Sequence, residues 1–208
     1  MKGHGSERAY EQLAHSLQTF GGSGYLQDYP VEQYIRDAKI DTLYEGTTTI
    51  QGLDLFFRKI VRDNGQALAK LAAAVQDTAK GGADDGLDRE RELLGTALED
   101  TQAIIARMVD DLMAAAEDRP HLYKVGLNGT RLLHVLGELV VGWLLVRQAE
   151  VAAAALDRGA TDRDRAFYAG KIAAARLFTS TVFPELTARR AVAEGVDLDV
   201  MQLEADAF

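Results

Sequence analysis

The stretch from Gln18 to Arg58, QTFGGSGYLQDYPVEQYIRDAKIDTLYEGTTTIQGLDLFFR, contains the most unusual residues of this 208-residue chain. Gly21-Gly22-Ser23-Gly24 ends a first helix, because glycine readily adopts the positive φ angles found at helix ends. Pro30 then begins a second helix, since proline suits the first helical position. Tyr44-Glu45-Gly46-Thr47 separates that helix from a third. The stretch therefore predicts three short helices joined by tight connections.

The helices are predicted at about residues 6–20 and 30–43, and the third begins at a capping box in which Thr48 is the cap and Gln51 reaches back. Glu45 then lies in a tight connection beside backbone N–H groups and a helix N-terminus, a setting that favours anions and polarised oxygens. The third helix carries an apolar face at three- and four-residue steps: Ile50, Leu53, Phe57, Ile60 and Val61.

The rest of the chain indicates helices that pack together. Hydrophobic residues make up 47% of the sequence and only 3 residues are proline, and alanine and leucine dominate, which favours helix. Long helices are predicted at about 87–117, 124–157 and 162–183, with a further one from Pro184 to Gly195. Short loops between long amphipathic helices indicate antiparallel neighbours. The predicted fold class is all-α, an antiparallel helical bundle.

Two of these helices have a distinctive pattern. The helix at 124–157 is apolar nearly all round, as expected of a buried bundle helix. The helix at 87–117 has a continuous apolar seam: Leu94, Ala97, Leu98, Thr101, Ile105, Met108 and Leu112.

We predict three parts in the chain. Residues 1–64 form the first helical unit, residues 65–86 a helix and linker, and residues 87–208 the bundle. Lys80–Gly86 is the most flexible part of the linker, because it is rich in glycine and acidic residues. The acidic tail Val196–Phe208 is expected to fray or to dock on a partner.

Composition excludes several classes of protein. The net charge of -9 argues against nucleic acid, which needs a basic surface. The absence of cysteine excludes disulfides and thiolate zinc sites and makes a cytoplasmic location the default expectation. No signal peptide is evident at the start. The longest apolar run, Leu132–Val146, is shorter than the roughly 20 residues of a membrane span, so none is predicted.

The residues alone support only a limited chemistry. His4, His15, His121 and His134 show no metal-ligand spacing, and His134 is best interpreted as a satisfied core residue. The glycine turn follows a helix and not a strand, so the dinucleotide-binding pattern is not met and a simple helix stop is the more frequent case. A lone loop glutamate is most often an exposed carboxylate. Chemistry derived from the residues therefore stops at a loop carboxylate beside backbone donors.

Four motifs, in this order along the sequence, favour a functional role for Glu45. They are Gln18-x-x-Gly21-Gly22-x-Gly24-Tyr25, Tyr29-Pro30-Val31-Glu32, Arg36-Asp37-Ala38-Lys39-Ile40 and Tyr44-Glu45-Gly46-Thr47-x-x-Ile50-Gln51. Together they closely resemble the C-terminal signature of the acyl-CoA dehydrogenases. The helical remainder looks like the extra C-terminal domain of larger members, including the long-chain and mycobacterial-type enzymes. Phe167–Arg176 and Pro184–Leu186 also resemble motifs near their ends, less specifically.

The resemblance implies an FAD-dependent oxidation of acyl-CoA thioesters to trans-2-enoyl-CoA in fatty-acid β-oxidation. Glu45 matches the base that removes the α-proton, and its own N–H, with a ribityl hydroxyl of the flavin, matches the donors to the substrate carbonyl. Gly46 has no side chain and is expected to let the backbone approach the substrate that closely. Thr47 matches a family position that contacts the flavin of its own subunit. Gln18, Gly21 and Gly22 match positions that touch FAD across a dimer interface.

The resemblance also implies partners and raises two doubts. The expected partners are the acyl-CoA substrate, an electron-transfer flavoprotein-type acceptor and a second copy of the chain. Gly52 stands where the family commonly has arginine, so any contact made by that arginine is in doubt. No strand-rich segment supplies the family's middle β-barrel. We therefore expect a fragment that alone neither binds FAD tightly nor turns over substrate, with apolar side chains such as Leu13, Leu17 and Phe20 left uncovered.

Two alternative hypotheses stay open. In the first, the chain is a stand-alone helical assembly or dimerisation module that retains the motif. In the second, it is part of an acyl-CoA oxidase, in which the reduced flavin reacts with oxygen.

Overall fold

The computed structural model describes residues 1–82 and 84–207, and all regular secondary structure within them is helical, with no strand. The predicted all-α fold class is confirmed. The helices are α1 (Lys2–Thr19), α2 (Val31–Lys39), α3 (Thr48–Leu53), α4 (Gln66–Ala79), α5 (Asp88–Ala114), α6 (His121–Asp157), α7 (Asp162–Thr181) and α8 (Phe183–Glu194).

The long helices α5, α6 and α7 run antiparallel, as predicted. Arg91, near the start of α5, reaches Glu150, near the end of α6, with 3.1 Å between Nη2 and Oε1. At the other ends of the same helices, His121 lies 3.5 Å from Asp111. The predicted seam of α5 is buried from Leu94 to Met108, and Leu112 packs partly buried against the core. Phe56 and Ile60 belong to the same core cluster, so the core is continuous across the predicted boundary near residue 64.

The segment after α3 is a π-helix and not a regular α-helix. Over Asp54–Val61 the hydrogen bonds widen to i→i+5, and the widening persists where the Arg62 N–H donates to the Phe57 carbonyl at 3.1 Å. Most of the predicted apolar face is retained: Ile60 is buried, and Phe57 and Val61 pack partly buried against the core. The prediction was wrong at Ile50, which is 55% exposed and lies in the first turn of α3, before the π-helix begins.

The sequence predicts that the central helix α6 is apolar and buried nearly all round. In the structure it is apolar, but it is not buried on every side. Leu127, Leu144 and Val151 are about half exposed or more, because the neighbouring helices leave a stripe of α6 uncovered. In the part of the chain that the structure describes, α6 is the one helix long and apolar enough to cross a bilayer. It nevertheless packs against α3, α5, α7 and α8 and buries the polar side chains of Asn128 and Glu138, which is typical of a core helix.

The connection before α5 is held by a buried arginine. The Arg91 guanidinium is 4% exposed and donates to both carboxylate oxygens of Asp85, at 2.8 and 2.5 Å. These hydrogen bonds hold the pKa of Asp85 below its usual value. Asp85 also accepts from the Leu87 N–H. The segment predicted to be the flexible linker is thus anchored at its end; Ala83 within it lies outside the described residues.

Candidate functional site

The connection between α2 and α3 has an unusual backbone. Glu45 has a φ of +56°, in the left-handed region, and Gly46 follows with a φ of +94°. A β-carbon at Gly46 would also lie 3.2 Å from Cγ2 of Ile50, so glycine suits this position in both space and conformation. For glutamate the left-handed region costs about 1–2 kcal/mol. Such strain persists only where neighbouring contacts hold it, and it clusters at functional sites.

Two side chains hold this turn by its carbonyl groups. The Gln51 side-chain amide donates to the Glu45 carbonyl at 2.6 Å, and Lys2 Nζ donates to the Gly46 carbonyl at 2.8 Å. The Glu45 carboxylate itself is exposed, as is Thr47. The turn therefore presents an exposed carboxylate from a backbone in which the carbonyl groups of two successive residues accept side-chain hydrogen bonds.

The predicted capping box does not form. Thr47, not Thr48, is the N-cap residue of α3, and no side chain caps this end. Gln51 donates to the Glu45 carbonyl and so does not reach back to a cap N–H. Thr48 is buried, and its hydroxyl donates to Glu7 of α1 at 2.5 Å. The motif was recognised in the sequence, but its polar groups bind the turn and α1.

The second group of predicted residues lies at the other end of α1. Gln18, Gly21 and Gly22 are exposed, Gly21 has a φ of +57°, and a β-carbon on either glycine would meet open space. Lys2, which holds the Glu45 turn, begins α1, whereas the glycine turn follows its end. An 18-residue helix is about 27 Å long. The structure therefore brings Glu45, Gly46 and Thr47 together and keeps the other three apart from them.

A buried charged cluster that the sequence did not indicate lies beneath α1. Glu138 of α6 is 1% exposed and accepts hydrogen bonds from Arg8 and from Arg189, the latter at 2.5 Å. Nδ1 of His134 lies 3.3 Å from Nδ1 of His4, within hydrogen-bond distance, and the tautomers of the two rings decide which one donates. Burial lowers the pKa of both histidines. Partners 51 and 130 residues away in sequence give no local signal.

This cluster borders a cavity of about 480 Å³ between α1, α6 and α8, lined by Glu7, Arg8, Tyr10, Glu11, Thr130, Arg131, His134 and Arg189. Burial and the charge of Arg189 lower the pKa of Arg131. Three guanidinium groups and two carboxylates line the cavity, and the buried Glu138, which accepts from Arg8 and Arg189, brings the number of carboxylates to three. Among the residues that the structure describes, no group of three or more side chains fits a metal ion.

Large apolar side chains are concentrated on the outside of the first unit. Leu13 and Leu17 are partly covered, whereas Phe20 is exposed, so the predicted uncovered face is displaced toward residues 20–50. The exposed side chains there are Phe20, Tyr25, Leu26, Tyr29, Tyr34, Ile40, Leu43, Tyr44 and Ile50. Exposed apolar patches are frequent at protein–protein, membrane and ligand contacts.

The fold and the turn define an all-helical chain that carries a strained, exposed glutamate next to glycine. Family models match nearly all of it. Residues 1–58 match the model described as acyl-CoA dehydrogenase, C-terminal domain, and residues 67–204 match the one described as acetyl-CoA dehydrogenase C-terminal like. The chain belongs to the acyl-CoA dehydrogenase family, an oxidoreductase family, and corresponds to its C-terminal part.

Individual relatives agree. The chain is 56% identical over its whole length to the broad-specificity linear acyl-CoA dehydrogenase FadE5 of Mycobacterium tuberculosis, covering 34% of that protein. It is 34% identical over 90% of its length to the 3-methylmercaptopropionyl-CoA dehydrogenase of Ruegeria pomeroyi, of which it covers 31%. A butyryl-CoA dehydrogenase of Syntrophomonas wolfei is 29% identical over the whole chain, which covers 33% of it. The chain thus spans about a third of the length of these relatives.

Proposed function

We propose that this chain is the part of an FAD-dependent acyl-CoA dehydrogenase that supplies the catalytic base, and that the base is Glu45. The observation that carries the proposal is the left-handed backbone of Glu45, in a turn that its own neighbours hold by the carbonyl groups and that leaves the carboxylate exposed. A glutamate kept in a costly conformation with its side chain unused by the fold is expected where the carboxylate serves another purpose.

The residues of the turn suit proton abstraction. The α-proton of a thioester is weakly acidic, so its removal needs a positioned base and donors to the developing enolate oxygen. The Glu45 carboxylate takes the proton, and the Glu45 N–H faces the carbonyl oxygen. Gly46, which has no side chain, leaves room for the thioester. FAD, when bound, accepts the β-hydrogen as hydride.

The open glycine turn fits the other end of a dinucleotide. Gly21 and Gly22 leave space where a β-carbon would stand, so a pyrophosphate can approach the backbone, and the exposed Gln18 side chain lies one turn before them. Because α1 separates this turn from Glu45, we propose that the two groups serve different flavins, one in each subunit of a homo-oligomer. The exposed apolar surface around residues 20–50 supplies an interface for the second subunit or for the remaining domains.

The test uses a chimera in which this chain replaces the C-terminal third of the M. tuberculosis relative, to which it is 56% identical. We expect the chimera to bind FAD and to reduce a dye with a linear acyl-CoA. Glu45→Gln should keep the flavin and lower the rate by about 10²–10⁴-fold. Asp41→Asn, at an exposed carboxylate before the turn, is the matched control and should be as active as the parent.

Activity retained by the Glu45→Gln chimera would refute the role of Glu45. Oxygen consumption that matches dye reduction would favour an oxidase over a dehydrogenase that passes electrons to a flavoprotein acceptor. A stoichiometric flavin complex of the isolated chain would contradict the expectation that this part alone does not hold FAD.

A further inference from the structure

The helix that follows the Glu45 turn crosses α6 at very short range. Gly52 in α3 is buried, and a β-carbon built on it would lie 2.7 Å from the carbonyl oxygen and 2.8 Å from the carbonyl carbon of Gly129 in α6. Both atoms are backbone, so no side-chain rotation relieves the overlap. The position that commonly holds arginine in the family therefore admits no side chain here.

The crossing is asymmetric. A β-carbon on Gly129 would lie 3.5 Å from Cδ2 of Leu53 and 3.8 Å from the carbonyl carbon of Gly52, which is ordinary van der Waals contact. A methyl group is thus tolerated on α6 and excluded on α3. The hydroxyls of Thr49 and Thr130 add a second contact between the same helices at 3.5 Å.

The contact leads directly to the turn. Gln51, the residue before Gly52, donates its side-chain amide to the Glu45 carbonyl at 2.6 Å. A shift of α3 away from α6 therefore moves the donor that fixes the Glu45 backbone. α6 belongs to the bundle, whereas the turn belongs to the first unit. The packing of the bundle therefore affects the position of the turn through two adjacent residues, Gly52 and Gln51.

We propose that α6 sets the position of the Glu45 turn and that Gly52 is the positioning residue that makes this possible, with Gln51 as the link to Glu45. The proposal rests on the proposed function of Glu45 for its catalytic consequence, but its structural part stands without it. The bundle then contributes to catalysis by orientation, since a displacement of about 1 Å can lower a rate about 100-fold.

The structural part is tested on the chain itself by the backbone amide chemical shifts of residues 45–48. Gly52→Ala should shift these resonances and leave those of α5 unchanged, whereas Gly129→Ala should leave the turn as it is. Gly126→Ala, on the same helix with open space at the β-carbon, controls for helix propensity. Equal shifts at the turn in Gly52→Ala and Gly129→Ala, or none in either, would overturn the proposal.

The catalytic part is tested in the chimera. Gly52→Ala should lower kcat about 10- to 100-fold with KM and flavin content within about twofold of the parent, and Gly129→Ala should be active. If Gly52→Ala does not fold, Gln51→Met removes the link without touching the crossing and should lower kcat in the same way. Full kcat in Gln51→Met would refute the link. An inactive parent chimera would instead refute the proposed function and leave the chemical-shift result valid.

Discussion

The φ angle of +56° at Glu45 predicts that glycine at this position stabilises the chain relative to alanine, while both substitutions remove the carboxylate. Alanine keeps the β-carbon and hence the cost of the left-handed region, about 1–2 kcal/mol. Glycine removes that cost but gives the unfolded chain additional freedom, which is worth about 0.4–1 kcal/mol. The difference leaves Glu45→Gly about 1 kcal/mol more stable than Glu45→Ala.

The assay is urea unfolding of the chain monitored by the fluorescence of its single tryptophan. Trp143 lies in α6, packs against the core and donates to the Thr78 hydroxyl at 2.9 Å, so its emission reports the bundle. In thermal unfolding of the same variants, a difference of about 1 kcal/mol corresponds to about 2–4 °C in Tm for a chain of this size. Glu45→Gln keeps both the β-carbon and the approximate size, and because the side chain is exposed its stability should lie within about 0.5 kcal/mol of the parent.

The control for glycine itself is Asp41→Gly against Asp41→Ala. Asp41 lies in a 3-10 turn with an ordinary backbone, so glycine should be the less stable of that pair. If Glu45→Gly is also less stable than Glu45→Ala, the backbone at Glu45 is not strained in solution, and the main support for its proposed role fails.

Three further predictions concern the core. Glu138→Gln should destabilise the chain by about 3 kcal/mol in urea unfolding, the lower end for breaking a buried ion pair, because Arg8 and Arg189 reach solvent; a change below about 1 kcal/mol would contradict the assigned contacts. Gly142→Ala should cost about 1–3 kcal/mol, since its methyl group would overlap the ring of Phe183, whereas Gly170→Ala, in open space, should be neutral or stabilising. The folded pKa values of His4 and His134 lie below the unfolded value of 6.5, so the unfolded chain binds more protons. Stability should therefore fall as the pH drops below about 6.5. The drop in the unfolding midpoint should be smaller when both histidines are replaced by glutamine.

The order of the helices and most of their ends were predictable, because the signals are local. Gly21 and Gly46 adopt the positive φ angles expected of glycine at breaks, and α8 begins at Phe183 with Pro184 in its first turn. The predicted start of α1 was less accurate, since the helix extends back to Lys2. There the apolar periodicity is weak, and burial of His4 beside Gly137 and His134 is a tertiary contact.

The details of the site were less predictable than its location. The motif marked Glu45, but nothing in the sequence indicated that the glutamate as well as the glycine adopts a positive φ. The predicted capping box does not form because Thr47 is the N-cap residue. The Thr48 hydroxyl donates instead to Glu7, which is 41 residues away. The π-helical hydrogen bonding over Asp54–Val61 was likewise not indicated by the local apolar period.

Gly52 shows how a departure from a family pattern changes meaning once its neighbours are known. In the sequence it reads as the loss of an arginine and of whatever that arginine contacted. In the structure the backbone carbonyl of Gly129 stands 2.7 Å from where a β-carbon would be, so a side chain and the helix crossing exclude each other. An arginine at this position would have to separate α3 from α6, and with it displace the Gln51 amide that donates to the Glu45 carbonyl. The close contact between α3 and α6, through which the bundle reaches the turn, therefore requires glycine at position 52.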